Sequence, residues 1–195
     1  MRRSNRSALS ETVDAVLVRI DDARVPRRGN YVNVTKDDLY FAGFSYQNFP
    51  TYNDGSTLDA RPLTVHDRAT DRVIKFGKET GPRKGTLHLS SMAVKEDMYT
   101  GSVQLNGRPY GHTLKNQLQI DSYASSTFFQ AGDSGSAVFL VDKENKLHCI
   151  GLAIGVMSDL TTVFTPIQNI LQGLGRQLGK TLEIKKFELE KMDES

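Results

Sequence analysis

Apolar positions along the chain fall into short runs bounded by turn-forming residues, and most runs are rich in β-branched or aromatic side chains. Residues 13–20, 73–76, 85–89, 137–141, 147–156 and 162–165 each predict a strand on that pattern, and residues 97–120 hold further short strand candidates. Residues 37–44 predict another, ending at Gly43. Turn signals separate them: Thr80-Gly81-Pro82, Asn106-Gly107 and the charged stretch 142–146. A helical period occurs at Ile167, Ile170, Leu171, Leu174 and Leu178, with Thr165 as the predicted N-cap, Pro166 at the first helical position and Gly179 as the stop. Residues 45–62 read as a loop, and from Lys180 the tail alternates apolar and charged positions, predicting a further strand or short helix. The pattern predicts an all-β protein with one C-terminal helix.

Candidate chemistry concentrates in Ala131-Gly132-Asp133-Ser134-Gly135-Ser136, directly before the apolar run 137–141. Glycines on both sides of the Asp133-Ser134 pair permit a tight turn that exposes the Ser134 hydroxyl and aims the N–H groups of Gly132 and Ser134 at one point. Two convergent N–H donors are what a developing oxyanion needs. Taken alone, the stretch reads equally as a Gly-rich β-turn with an Asx hydrogen bond.

Its surroundings extend the pattern. Upstream is Lys75-Phe76-Gly77-Lys78-Glu79-Thr80-Gly81, and downstream are Gly151-Leu152 with Gly155, then Thr165-Pro166-Ile167 before the helix. This order resembles the second β-barrel of the chymotrypsin/trypsin-like serine proteases, the disulfide-free branches in particular, over residues 70–175. The resemblance implies a trypsin-like double β-barrel with an incomplete N-terminal barrel. Residues 1–65 would be its remnant and linker, 66–180 the second barrel with its helix, and 181–195 a tail. It implies a serine endopeptidase acting on polypeptide without a cofactor. Ser134 would be the nucleophile, and the Gly132 and Ser134 amides the oxyanion hole. Asp14, in Asp14-Ala15-Val16-Leu17, would be the carboxylate that orients a histidine; the alternative is an exposed aspartate at a strand start. Phe128, six residues before Ser134, would floor the specificity pocket, with core packing as the alternative. Ile154 and Gly155 would lie on the strand that pairs with substrate. The family also pairs the residue at Asp133 with a freed amino terminus. Met1-Arg2-Arg3 does not resemble one, so no such activation step is expected.

Composition narrows the classes. Apolar content of 38% and charge of 25% fit a globular protein, and a net charge of +2 gives no case for nucleic acid. No apolar run has the length of a membrane span, and the polar start shows no signal-peptide core. The single cysteine, Cys149, excludes an intrachain disulfide, favours a reducing intracellular compartment and is expected to be a buried, inert thiol. His148 beside Cys149 has no second pair of ligands, so no metal site is expected. The resemblance leaves one gap. Its triad order places a histidine before Asp14, whereas His66, His88, His112 and His148 all follow it. The expected base therefore comes from missing N-terminal sequence or a partner chain. The competing class is a protease-like domain without turnover, serving as a binding or regulatory module.

Overall fold

The structure, a computed structural model, describes residues 15, 35–45, 59–60, 72–96, 104–105, 108–109, 112–124, 126–142 and 147–184. Its elements in chain order are α1 (Lys36–Phe41), β1 (Asp59–Ala60), β2 (Val73–Gly77), β3 (Gly81–Glu96), β4 (Gln104–Leu105), β5 (Arg108–Pro109), β6 (His112–Ser122), β7 (Ala137–Val141), β8 (Leu147–Val156), β9 (Thr162–Pro166) and α2 (Ile167–Leu178). β2 pairs with β3, β3 with β6, β6 with β9, β9 with β8, β8 with β7, and β7 returns to β2. Every pairing in this ring is antiparallel, so six strands close a barrel and leave none of its edges open along the paired residues. β1 adds a short parallel contact at His148 and Cys149 of β8. β4 and β5 form a separate hairpin around positions 106–107, where the Asn-Gly signal lies.

The protein is thus mostly β with a C-terminal helix, and one barrel is seen among the described residues. A double barrel is not. The predicted strand 13–20 lies outside the described residues, except that Ala15 packs beside the α2 cluster.

Strand alternation sorts the core into layers. Inside the barrel, Val73, Leu87, Ile120, Val138, Ile150 and Phe164 pack together with almost no exposed surface. Ile74, the next residue along β2, belongs to an outer cluster with Val141 and Leu147, covered by Leu39, Ala42 and Phe44. Each such fully buried side chain contributes about 1.5–3 kcal/mol relative to exposure.

Two local expectations are corrected. Residues 36–41 are helical, because Thr35 and Asp38 form a capping box. The Thr35 hydroxyl accepts the Asp38 amide at 3.1 Å, and the Asp38 carboxylate accepts the Thr35 amide at 2.8 Å. Gly43, at φ +102°, then turns the chain so that Phe44 returns to the core. At α2 the N-cap is Pro166, one residue later than expected, and no side chain caps the helix. The Thr165 hydroxyl is committed elsewhere, donating to Gln117 Oε1 at 2.6 Å in a buried contact with β6. Ile167, Ile170 and Leu174 are buried as the period requires, but Leu178 is 53% exposed at the helix end. Gly179, at φ +63°, terminates α2, and the Lys180 amide bonds back to the Gly175 carbonyl at 2.9 Å. Residues 181–184 follow without regular structure, and the rest of the tail lies outside the described residues. Among the described residues no helix is long and apolar enough to cross a membrane.

Cys149 packs with Ile167, Ile170 and Leu174 under α2, and burial pushes its thiol up to about 11. A thiol held that far above neutral pH is unreactive. Ellman's reagent at pH 8 is therefore expected to leave the folded chain unmodified for hours and to titrate one thiol at once in denaturant; rapid reaction of the folded chain would contradict this packing.

Candidate active site

The turn between β6 and β7 is stapled onto β8. The Gly135 amide donates to the Ala153 carbonyl at 2.8 Å, and the Ala153 amide donates to the Ser136 carbonyl at 2.9 Å. Within the turn, Asp133 N–H reaches the Gln130 carbonyl at 3.0 Å, and the Ser136 hydroxyl donates to the Asp133 carbonyl at 2.6 Å. Gly132 has φ +101° and Gly135 φ +84°, values that a side-chain-bearing residue adopts only under strain. These two glycines bracket Asp133 and Ser134 and let their side chains go opposite ways.

Asp133 goes in. Its side chain is fully buried and accepts five hydrogen bonds. One carboxylate oxygen takes the Lys75 ammonium at 2.8 Å, the Thr80 hydroxyl at 2.7 Å and the Gln130 amide at 3.1 Å. The other takes the amides of Glu79 at 2.9 Å and Thr80 at 3.3 Å. Lys75 is itself 0% exposed, donates to the Thr80 hydroxyl at 2.6 Å and sits 5.5 Å from the Phe128 ring centroid. The spacing of the upstream motif now has a physical reason. Lys75 occupies an inward position of β2, two residues after the core residue Val73. A Cβ at Gly77 would strike both the Asp133 carboxylate and the Lys75 ammonium, so only glycine leaves them room. Thr80 bridges the two charges. Burial alone would raise the Asp133 carboxyl. The bonds from Lys75, Thr80, Glu79 and Gln130 more than offset it and hold the group well below the usual carboxylate range. For Lys75 burial dominates and lowers the ammonium, opposed by its bond to Asp133.

Ser134 goes out. It is exposed, and its hydroxyl makes one long contact, to the Ile154 carbonyl at 3.3 Å. Neither the Gly132 nor the Ser134 N–H donates to an acceptor among the described residues. β7 begins at Ala137, opposite Leu152, so among the described residues no strand pairs with 154–156 of β8 on that side. Gly155 has open space where a Cβ would be. Ser134 therefore lies beside Ile154, next to the open space at Gly155, while the Cβ position of Gly132 faces Glu79.

The other expected site residues fall elsewhere. Phe128 is fully buried in the barrel core against Lys75, the packing that stood as the alternative to a pocket floor. Asp14 lies outside the described residues, as does His66. His88 is on β3, three strands from β8 in either direction round the ring, and it bonds to Asp121 at 2.7 Å. His148 is on β8 but six residues before Ile154, roughly 20 Å along a strand, and it bonds to Asp142 at 2.8 Å. Neither reaches the Ser134 hydroxyl. His112 starts β6 opposite Glu96, six residues before the Leu118 that pairs with Phe164, so its backbone is at the far end of the barrel wall. Lys75, which the sequence shows only as the first residue of the upstream motif, is the buried partner of Asp133. Its signal was a charge at a core-facing position of an alternating strand.

No protein-family model matches the chain, and no curated protein matches it either. Among solved structures, the chain is similar to the crystal structure of the Rv3671c protease from M. tuberculosis in its active form. The identity is 15% and the TM-score 0.38, over 67% of this chain and 51% of that one. This chain therefore spans about half the length of that protein.

The depressed carboxyl of Asp133 sets an acid limit. A folded-state pKa below the unfolded value of about 3.9 stabilises the fold above that pH, and the contribution is lost as pH falls toward the folded value. Urea midpoints measured from pH 7 down to pH 2 should fall steeply below about pH 4. Asp133→Asn should be less stable at pH 7 and show a flatter acid limb; an unchanged slope would remove Asp133 from the acid transition.

Proposed function

We propose that the chain belongs to a trypsin-like serine endopeptidase, in which Ser134 attacks the scissile carbonyl of a polypeptide substrate. The carrying observation is the turn itself: an exposed hydroxyl flanked by two N–H groups that find no acceptor among the described residues, on a loop locked by a buried ion pair. In the attack, the Ser134 Oγ–C bond forms and the carbonyl π electrons move onto oxygen. The Gly132 and Ser134 amides would stabilise that oxyanion, a contribution of about 10²–10³ in rate per donor. The hydroxyl proton passes to a histidine supplied from outside the described residues and oriented by Asp14, and it then leaves with the departing amine. Substrate backbone would pair with the open side of β8 at residues 154–156, adding a strand beyond the start of β7. Gly155 leaves space for a substrate side chain there.

The second reading, a binding or regulatory module without turnover, is favoured by one observation: neither histidine whose side chain is described stands at Ser134. Without a base, hydrolysis falls by several orders of magnitude and only residual catalysis remains. Such a module would use the same open side of β8 to hold peptides.

An alkyl fluorophosphonate reporter separates the two readings. The full chain should be modified at Ser134 and the Ser134→Ala chain should not. His88→Ala and His148→Ala should react within about twofold of the parent rate, since both lie away from the hydroxyl. Absent modification, or equal modification of parent and Ser134→Ala, would leave the binding module as the reading.

A further inference from the structure

We propose that Glu79 is a specificity-determining residue, whose carboxylate selects peptides carrying a lysine or arginine on the flank of Ser134 opposite β8. The inference rests on the reading of this turn as a site that takes polypeptide, and it names a substrate class that the reading leaves open.

Strand order fixes where Glu79 stands. β7 pairs with β2 on one side and with β8 on the other, and the Ser134 turn immediately precedes β7. β2 runs antiparallel to β7, with Lys75 opposite Val138, so the tip of the β2–β3 hairpin at residues 78–80 reaches the level of the turn. Ser134 therefore lies between that tip and the Ile154 carbonyl. Two amides of the tip, those of Glu79 and Thr80, donate to the Asp133 carboxylate at 2.9 and 3.3 Å and hold the tip there. The Glu79 side chain lies against Gly132: a Cβ on Gly132 would stand 2.5 Å from Glu79 Cγ and 3.2 Å from its Oε1.

A peptide that pairs with 154–156 of β8 and brings a carbonyl to Ser134 continues across the turn toward this carboxylate. Glu79 is 46% exposed, and its ion-pair partner Lys78, at 3.7 Å, is 85% exposed. So loose a surface pair contributes little. A substrate ammonium or guanidinium can take the carboxylate over, and a substrate carboxylate is repelled by it. No other charge on the hairpin supplies the same preference. Lys75 and Lys84 are buried, and the remaining two, Lys78 and Arg83, are basic and on their own would draw anionic peptides. A preference for cations is therefore the mark of Glu79, and Lys78 opposes it.

The test uses the full chain carrying Ser134→Ala, so that bound peptide stays intact. Its binding is read on arrays of mixed-sequence decapeptides with one position fixed as Lys, Arg, Gln or Glu. At one or two adjacent positions, Lys and Arg should be bound about fivefold better than Glu, and the excess should shrink in about 0.5 M salt. Glu79→Gln should erase the excess, Glu79→Lys should reverse it, and Lys78→Met should enlarge it. These replacements keep the Glu79 amide bond to Asp133 and alter only exposed side chains, so each chain is expected to fold. Equal binding of the four peptide sets, a preference that survives Glu79→Gln, or no binding of any peptide would overturn the proposal. Fluorophosphonate modification of the parent chain at Ser134 is read in parallel. Charge preference without modification upholds the role of Glu79 and removes the peptidase reading. Modification without charge preference removes the role of Glu79 and leaves the peptidase reading standing.

Discussion

One buried contact, Lys75 to Asp133 at 2.8 Å, ties the barrel interior to the surface turn that carries Ser134. Isolated charges do not survive in an apolar interior, and an ion pair repays its desolvation only when further hydrogen bonds satisfy both partners. Here the Thr80 hydroxyl and three backbone amides complete the pair, and the Phe128 ring faces the ammonium at 5.5 Å. A hydrophobic pair of similar volume could fill the same space. It would not pull the residue before Ser134 inward with a defined orientation. The charge pair specifies the turn, where a purely apolar filling would specify only the volume.

The turn depends on the barrel in a second way. β7 begins immediately after it, and β8 accepts its backbone bonds at Ala153. The bulge between Ala153 and Gly155 interrupts the pairing of β8 with β9 at the residue whose carbonyl meets the Ser134 hydroxyl. Bulges commonly re-aim the chain next to functional sites. A rigid closed sheet thus presents one irregular, open face, which is the division of labour expected of a site built on a scaffold.

Much of the barrel was legible in the residues themselves. Residues 137–141 and 147–156 are strands over the ranges read from their apolar runs, because those runs are bounded by a Gly-rich turn and a charged loop. The stretch 37–44 misled, since Leu39-Tyr40-Phe41 reads as an apolar β run. The local hydrogen bonds of Thr35 and Asp38 outweighed it and made a helix. Thr165 looked like a helix cap, but a buried partner on β6 claimed its hydroxyl, and no local pattern encodes that long-range choice. The turn at Gly132 and Ser134 could be read from its glycines, and Gly132 does take a left-handed φ of +101° beside an exposed Ser134. Phe128 could be placed as pocket or core only once the barrel was closed around it. Lys75 is a case where a rule broken locally, a charge on a core face, marked a buried ion pair.

A double-mutant cycle over Lys75→Met and Asp133→Asn, read as urea unfolding at pH 7, tests this picture most directly. The account predicts strong coupling, with each single replacement losing about 3–5 kcal/mol and the double replacement falling short of their sum by about 2–3 kcal/mol. Additivity within about 0.5 kcal/mol would contradict it, since the two residues would then stabilise the protein independently.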